Sequence, residues 1–590
     1  MLRTHTCGEL RKQNVGQEVV LSGWVHRRRD HGGVIFIDLR DRYGLTQIKF
    51  NPDIDKKVHA EADKLRGEWV IKIKGKVVFR PGDMANKKLD TGEIEVECSE
   101  LTIFSKAKTP PFEIDEEKAN DVNEELRMKY RYIDLRKQDS MNVLVKRYEF
   151  IKFIRDYLSK LNFIEVETPM LGKSTPEGAR DFLVPSRLQH GDFYALPQSP
   201  QQYKQLLMIG GIDRYFQVAK CFRDEDTRGE RQAEFTQLDI EMSFVEQDEV
   251  LDMTEDLMTK AIEKIFPEKK ILSKPWPRLD YEEIMLKYGI DKPDLRFDLE
   301  IQDISDLVKD SGFKVFKEVI KDGGVVRAIC ATGAAKFARR EIDELTEMVK
   351  QSGAKGLAYI IVKENGELQS PIVKFIGENS AKDIIKKVDA KAGDIIFFGA
   401  DKKSIVCESL AQLRNELGKK LGLIEDNIIA LAFVVNFSLF EEEMENGHYA
   451  PSHHMFTSPC QEDVKLLDSD PGKTRSYQYD MIGNGYELGG GSIRIHDKKI
   501  QEKIFDLIGF DEKRKEQFSH FLRAFEYGVP PHGGIASGLD RLLMVLMNKQ
   551  SIRDVMAFPK TGDGRDLMMD APSEVEDKQL KELKIKIKKD

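Results

Sequence analysis

Cysteine is scarce and scattered: Cys7, Cys98, Cys221, Cys330, Cys407 and Cys460 include no CxxC pair. That excludes a disulfide framework and a zinc cluster as organising devices and fits a reducing cytoplasm. Long hydrophobic runs are missing too. The apolar stretch Ile428 to Val435 falls well short of the roughly 20 residues of a membrane span. The leading Met1-Leu2-Arg3-Thr4-His5-Thr6 lacks the apolar core of a signal peptide. The expectation is a cytoplasmic chain, neither exported nor membrane-spanning. Excess positive charge is absent as well. With a formal net charge of -9, a polyanion such as RNA can bind only where basic residues concentrate locally. There are no repeats and no low-complexity tracts.

What is present is ample core material and a charged surface, 40% hydrophobic and 33% charged residues over 590 positions. That length calls for about two to four folding units. From Glu18 to Phe104 short strands are predicted at Val19 to Val25, Val34 to Leu39, Leu45 to Phe50, Trp69 to Val78 and Glu93 to Phe104, with a helix at Val58 to Leu65. Five strands with a helix between the third and fourth give the order of an OB-fold, a common oligonucleotide binder. Pro110-Pro111 marks a stiff connection, since consecutive prolines cannot continue a ladder. Beyond it, Phe150, Ile151, Ile154, Tyr157, Leu158 and Leu161 recur at helical spacing, and Phe163 to Pro169 alternates like a strand stopped by proline. From about Asp294 to Asp426 short β/α alternation suggests an inserted α/β domain, with buried strands at Leu357 to Val362 and Ile395 to Phe398. The expected division is 1–107 for the barrel, 108–134 for a linker, 135–293 with 427–590 for a second domain and 294–426 for the insertion. The basic tail Lys584 to Lys589 reads as solvated.

The densest chemical signal is Cys221-Phe222-Arg223-Asp224-Glu225-Asp226-Thr227-Arg228-Gly229-Glu230-Arg231, followed by Glu234-Phe235-Thr236-Gln237-Leu238-Asp239. A charge run is ordinarily a solvated loop. Here Phe222 and Phe235 at the strand ends fix the arginines over a surface, where guanidinium forks can clamp phosphates. Gly538-Leu539-Asp540-Arg541 sets another arginine at a strand-to-helix turn. The helix and strand ending at Pro169, the arginine hairpin and this glycine-arginine turn follow the chain order of the three signature motifs of class II aminoacyl-tRNA synthetases.

Over essentially its whole length the chain resembles the bacterial-type aspartyl-tRNA synthetases. The resemblance is carried by Ser174 to Asp181, Gln198 to Lys204, Phe222 to Asp226, His453 to Pro459 and Gly489 to Arg494; Met455 departs, standing where proline is frequent. It implies an α+β multidomain protein: an anticodon-binding OB-fold barrel, an antiparallel-sheet class II catalytic domain and a bacterial insertion. The implied reaction activates L-aspartate with ATP and transfers it to tRNA(Asp). Aspartate's α-carboxylate must attack the α-phosphate in line, so negative charge on both partners must be neutralised. The family pattern puts Arg223, Glu225 and Arg541 in catalysis. ATP would be held by Arg223, Asp224, Glu225, Arg231, Gln232, Phe235, Glu487, Gly538, Leu539, Asp540 and Arg541, with Phe235 stacked on adenine. Aspartate would be held by Glu177, Ser199, Gln201, Lys204, Arg223, His453, His454 and Arg494, where a planar arginine suits a carboxylate. Asp480 and Glu487 offer hard oxygens for the magnesium that accompanies ATP. The helix before Pro169 resembles the family's dimer interface, implying a homodimer.

In the barrel, Trp24-Val25-His26-Arg27-Arg28-Arg29-Asp30 lies near Phe36 and Gln47 in the predicted strands. Cation, aromatic and amide together are the equipment for stacking on unpaired bases and reading their edges. Arg29, Phe36, Gln47 and, by resemblance, Glu95 are the anticodon candidates. His31 stands where discriminating relatives carry leucine, which implies that asparagine tRNA is charged too, with the loop near Asp83 contributing. Four alternatives stay open: a strictly discriminating enzyme for tRNA(Asp) only, an asparagine-making ligase, an asparaginyl-tRNA synthetase, and a non-catalytic RNA-binding protein on the same fold.

Overall fold

The computed structural model describes the chain except residues 115–121, 175–177, 442–443, 445–446 and 589–590 and the side chain of residue 83. Glu177 and the side chain of Asp83 therefore lie outside the described residues. Two compact units are present, Met1–Val145 with Met556–Ser573, and Lys146–Val555 with Glu574–Asp590.

The first unit carries a closed five-stranded barrel, β1 (Glu18–His31), β2 (Val34–Asp41), β3 (Gly44–Phe50), β4 (Val70–Phe79) and β5 (Ile94–Ser105), paired in the order β1-β2-β3-β5-β4. Every pairing is antiparallel except β3 with β5. Alternation makes it close: Val19, Leu21 and Val25 on β1, and Ile35, Ile37 and Leu39 on β2, point inward at period two and meet Ile71, Ile73 and Val96 in one dry core. The helix Lys56–Asp63 follows β3, started by Asp55, whose carboxylate accepts from the Lys57 and Val58 amides. This is the predicted barrel, with strand ends shifted by at most six residues. The unit runs past the proline pair to Val145.

The second unit is built on an eight-stranded sheet with the spatial order Arg278–Asp280, Leu431–Val435, Gln478–Gly483, Tyr486–Ile493, His532–Gly538, Glu234–Ser243, Arg214–Phe222 and Ile164–Glu165. The six inner strands are antiparallel and each edge strand pairs parallel. The helix predicted around Phe150 to Leu161 spans Gln138–Lys160. The strand predicted over Phe163 to Pro169 shrinks to Ile164–Glu165. As an edge strand it has one neighbour, and after Glu165 the backbone keeps a single further bond, from the Val166 amide to the Phe216 carbonyl.

Between the first two strands of that order the chain makes a second sheet, Ile301–Asp303, Val325–Ala331, Ile395–Asp401, Ala358–Val362 and Leu368–Gln369, paired antiparallel throughout. Apolar clusters cover both of its faces. Arg414 anchors its start: its guanidinium donates to the Phe297 and Leu299 carbonyls and lies over the rings of Tyr288 and Phe297.

Candidate active site

Strand register builds the floor of an inner cavity. Across four neighbouring strands Asp480, Gly490, Ala536 and Asp239 stand side by side. The two middle positions are nearly bare of side chain, and the row ends in carboxylates. Two residues along, the row Gln478, Ser492, Gly534 and Glu241 again has small middle residues, now between an amide and a carboxylate. The space above is a cavity of 350 Å³, within the range of small-molecule sites of about 300–1,000 Å³.

Arg494 follows its strand and folds back over the second row. Its Nε and Nη2 donate to the two oxygens of Glu241 at 3.0 and 3.2 Å, Nη1 donates to Ser492 Oγ at 2.7 Å, and Nη2 also reaches the Gly534 carbonyl at 3.3 Å. A guanidinium has five N–H groups, so one on Nη1 is left for a ligand. Lys204, on the helix Gln201–Ile209, is fully buried with Nζ 3.0 Å from Asp239 and 3.4 Å from Glu241. Burial works against the Glu241 carboxylate, but Arg494 and Lys204 hold it below the usual range. Burial pushes Asp239 up despite Lys204 beside it. Two cations thus face the cavity from one side, backed by carboxylates that fix their positions.

Several buried polar atoms here have no hydrogen-bond partner: Gln201 Nε2, Arg223 Nε, Asp239 Oδ2 and His454 Nε2. Unsatisfied buried groups are uncommon, and clustered on one cavity they mark where a polar ligand completes the bonding. His454 Nδ1 accepts from the Phe456 amide at 3.3 Å, so the proton of the neutral ring sits on Nε2. The His453 ring is exposed into the cavity. Because protein encloses that cavity and Arg494, Lys204 and Arg223 lie close, its pKa falls to about 3. His454 is held well below its usual value, by burial first and then by His453 and the same cations. Both rings are neutral at pH 7. In the unfolded chain they take up protons near pH 6.5, which the folded form refuses, so their contribution to stability is present above pH 6.5 and is lost as the pH falls toward 3. Thermal melts at pH 7.5 and 5.5 should show a smaller acid-induced drop in a His453→Asn/His454→Asn variant than in wild type; equal drops would remove this assignment.

At the other end, Arg223 lies over the Phe235 ring, 5.2 Å from its centroid. Arg231 pairs with Glu225 at 2.8 Å. Arg541 donates to the Glu487 carbonyl at 2.7 Å and the Glu230 carbonyl at 3.4 Å. These residues line the cavity with Ser199, Gln201, Gln232, Glu487 and Gly538. Asp540 lies in the wall with both oxygens engaged, by Arg147 and by the Thr236 amide, and so brackets the helix Leu539–Leu546 to the arginine hairpin. Leu539 is fully buried and Asp224 is exposed, with its backbone bonded to Arg180; the structure places neither on the cavity. Asp480 opens instead onto an adjoining cleft that shares His453 and Glu487 with the cavity. Burial, then Glu487 and Asp291, push its carboxyl well above the usual range, and its Oδ1 has no partner. Asp239, Glu241 and Ser492 were not singled out from the sequence, although acids at period two in the otherwise apolar Leu238 to Met242 signal cations across that face.

On the barrel, Arg29 Nη2 lies 2.6 Å from Asp38 Oδ1 and 3.3 Å from Gln47 Oε1, and Gln47 Nε2 donates to Glu95 at 2.7 Å. The exposed His31 ring is 6.2 Å from that of Phe36. Arg29, His31, Phe36, Gln47 and Glu95 therefore share one face, joined by Asp38 and by Lys49, 3.6 Å from Glu95.

The fold agrees with the comparisons. Residues 123–562 match the family model described as tRNA synthetases class II (D, K and N), and residues 19–104 match the OB-fold nucleic acid binding domain. The chain belongs to the class II tRNA synthetases. It is 52% identical to an aspartate–tRNA(Asp/Asn) ligase of Rubrobacter xylanophilus, covering 99% of this chain and 97% of that one. It is 51% identical to an aspartate–tRNA ligase of Macrococcus caseolyticus, covering 99% and 98%. Among solved structures the asparaginyl-tRNA synthetase of Pyrococcus horikoshii with asparaginyl-adenylate aligns at TM-score 0.60 and 19% identity, over 95% of this chain and 99% of that one; this is a likeness of fold. Among the described residues no helix is long and apolar enough to cross a membrane.

Proposed function

We propose that this chain is an aspartate–tRNA ligase that forms aspartyl-adenylate from L-aspartate and ATP and passes the aspartyl group to a tRNA. The observation that carries the reading is the pair Lys204 and Arg494, buried at one end of the cavity and fixed by Asp239 and Glu241. A short dicarboxylate brings the negative charge this end accepts; a neutral amide leaves it unmatched. Gln201 offers an unpartnered amide for the amino-acid end, and His454 an unpartnered N–H.

Activation needs positive charge where the two anions meet. Arg223 supplies it between the cation pair and the hairpin, and Arg231 and Arg541 grip the outer phosphates by exchanging Glu225 and the Glu487 carbonyl for phosphate oxygens. Phe235 offers a face for adenine once Arg223 turns to the α-phosphate. Asp480 and Glu487 fit a magnesium ion that arrives with ATP, since the orphaned, buried Asp480 Oδ1 lacks a cation; when bound, magnesium supplies charge neutralisation on the phosphates. No residue here acts as a nucleophile: the α-carboxylate attacks the α-phosphate with pyrophosphate leaving, and a terminal ribose hydroxyl of the tRNA then attacks the activated carbonyl with AMP leaving.

Relatives of nearly equal identity carry names with and without asparagine tRNA, so overall similarity does not decide the tRNA set. His31, on the same barrel face as Phe36 and Gln47, favours charging of both tRNA(Asp) and tRNA(Asn). A His31→Leu variant should lose charging of asparagine tRNA by about tenfold, about one good base contact, while charging aspartate tRNA within about twofold of wild type; equal loss on both tRNAs would contradict this role. A homodimer in the cytoplasm completes the reading. The edge strand at Ile164, with Met170 and Leu171, leaves an apolar face exposed of the kind association covers. Transfer of labelled aspartate to an aspartate tRNA transcript tests the whole proposal; ATP-dependent exchange without transfer to any tRNA would overturn it.

A further inference from the structure

His532 contacts no part of the cavity, yet it touches the supports of both cations. It is the first residue of the strand His532–Gly538, fully buried and level with Ser243 on the neighbouring strand. Its backbone carbonyl accepts from the Arg494 amide at 2.9 Å, which fixes the chain where Arg494 turns back over the sheet. Its ring reaches the other way. Nδ1 lies 2.8 Å from the Pro530 carbonyl, so that nitrogen carries the proton and donates. Burial lowers the pKa of the ring, against the pull of Glu241, and the neutral ring is left with a lone pair on Nε2. That nitrogen lies 3.3 Å from Gln205 Oε1, so two lone pairs face each other in this amide orientation. Gln205 is fully buried, its Nε2 has no hydrogen-bond partner, and it follows Lys204 in the helix that also carries Gln201. A half-turn of the amide exchanges its oxygen and nitrogen, presents the orphaned NH2 to the ring and satisfies both groups.

We propose that His532, acting through Gln205, is a positioning residue for the amino-acid pocket: it ties the helix bearing Lys204 and Gln201 to the strand end that holds Arg494. This rests on the reading of the cavity as an aspartate site. The ring is a rigid strut between the two cations' supports. Its Nδ1 bond fixes the ring to its own strand, and its Nε2 bond fixes the helix. Without the second bond the helix can shift relative to Arg494, and a shift at the cation pair weakens recognition of the carboxylate. The ATP end, held by Arg223, Arg231 and Arg541 on other elements, is untouched.

The two ring nitrogens can be tested apart. His532→Asn keeps a donor near Nδ1 and loses the reach to Gln205; His532→Gln keeps a polar atom near Nε2. In pyrophosphate exchange, His532→Asn should raise KM for aspartate about tenfold, the effect of a lost buried hydrogen bond, and leave KM for ATP within about twofold. His532→Gln should restore KM for aspartate to within about threefold of wild type. Gln205→Met should reproduce the aspartate-specific loss, and adding it to His532→Asn should bring little further loss, because the two act through one bond. If His532→Asn yields no folded protein, Gln205→Met alone carries the same comparison of the two KM values. The proposal is overturned if KM for aspartate and ATP rise together, if KM for aspartate does not change, if Gln behaves as Asn does at position 532, or if the two losses multiply. Wild type is measured first: absence of aspartate-dependent exchange there removes the aspartate reading and this proposal together, whereas normal wild-type exchange with unaltered variants removes this proposal alone.

Discussion

Arg494→Ala should reduce kcat/KM for aspartate-dependent pyrophosphate exchange by about 10²–10⁴. Breaking one partner of a buried charge pair costs about 3–5 kcal/mol, and every 1.4 kcal/mol is about tenfold. Here the loss falls on both sides of the pocket wall. The guanidinium holds Glu241 by two bonds, and Ser492 and Gly534 by one each, so its removal leaves Glu241 buried behind the cavity lining with only Lys204, shared with Asp239, to balance it. A carboxylate substrate then meets net negative charge where it needs positive. Arg494→Lys keeps the charge but cannot span Glu241, Ser492 and Gly534 at once, and should recover only part of the loss. A melting temperature for each variant separates pocket failure from unfolding. Exchange within about threefold of wild type in a folded Arg494→Ala protein would contradict the assignment.

Arg223→Ala should abolish exchange for a different reason. Arg223 lines the same cavity as the cation pair and the phosphate clamp and lies over Phe235, with Nε buried and unpartnered. Loss of a preorganised donor from a transition state costs about 10²–10³ in rate, and here the charge between two anions is lost as well. Its burial is only partial, so stability should change little, unlike Arg494→Ala. The expected signature is loss of kcat with a melting temperature near wild type; near-normal exchange would overturn the role.

The barrel was legible because its strands alternate cleanly: Val19, Leu21 and Val25 by themselves announce a strand with one buried face. The glycine-arginine turn was legible because Gly538 ends the strand His532–Gly538 and Leu539–Leu546 begins a helix, as the sequence pattern implies. Two kinds of information were not in local sequence. Motif neighbours are not spatial neighbours: Leu539 turns into the core and Asp224 away from the cavity, because adjacent residues on a helix or strand end point in different directions. Conversely, Gly534 and Glu241 meet Arg494 only through the register of strands distant in sequence. The edge strand after Phe163 is present but shorter than predicted, Ile164–Glu165, because alternation reports a half-buried face and not the presence of a second neighbour to hold it.

The central claim is that the cavity selects a carboxylate side chain, and an amino-acid panel in ATP–pyrophosphate exchange tests it most directly. L-Aspartate should support exchange with kcat/KM at least about 10³ above L-asparagine, since a buried site built for one polar group rejects the analogue that leaves it unmatched. L-Glutamate, one methylene longer, should also fall well below aspartate. Asparagine supporting exchange as well as aspartate does would contradict the account.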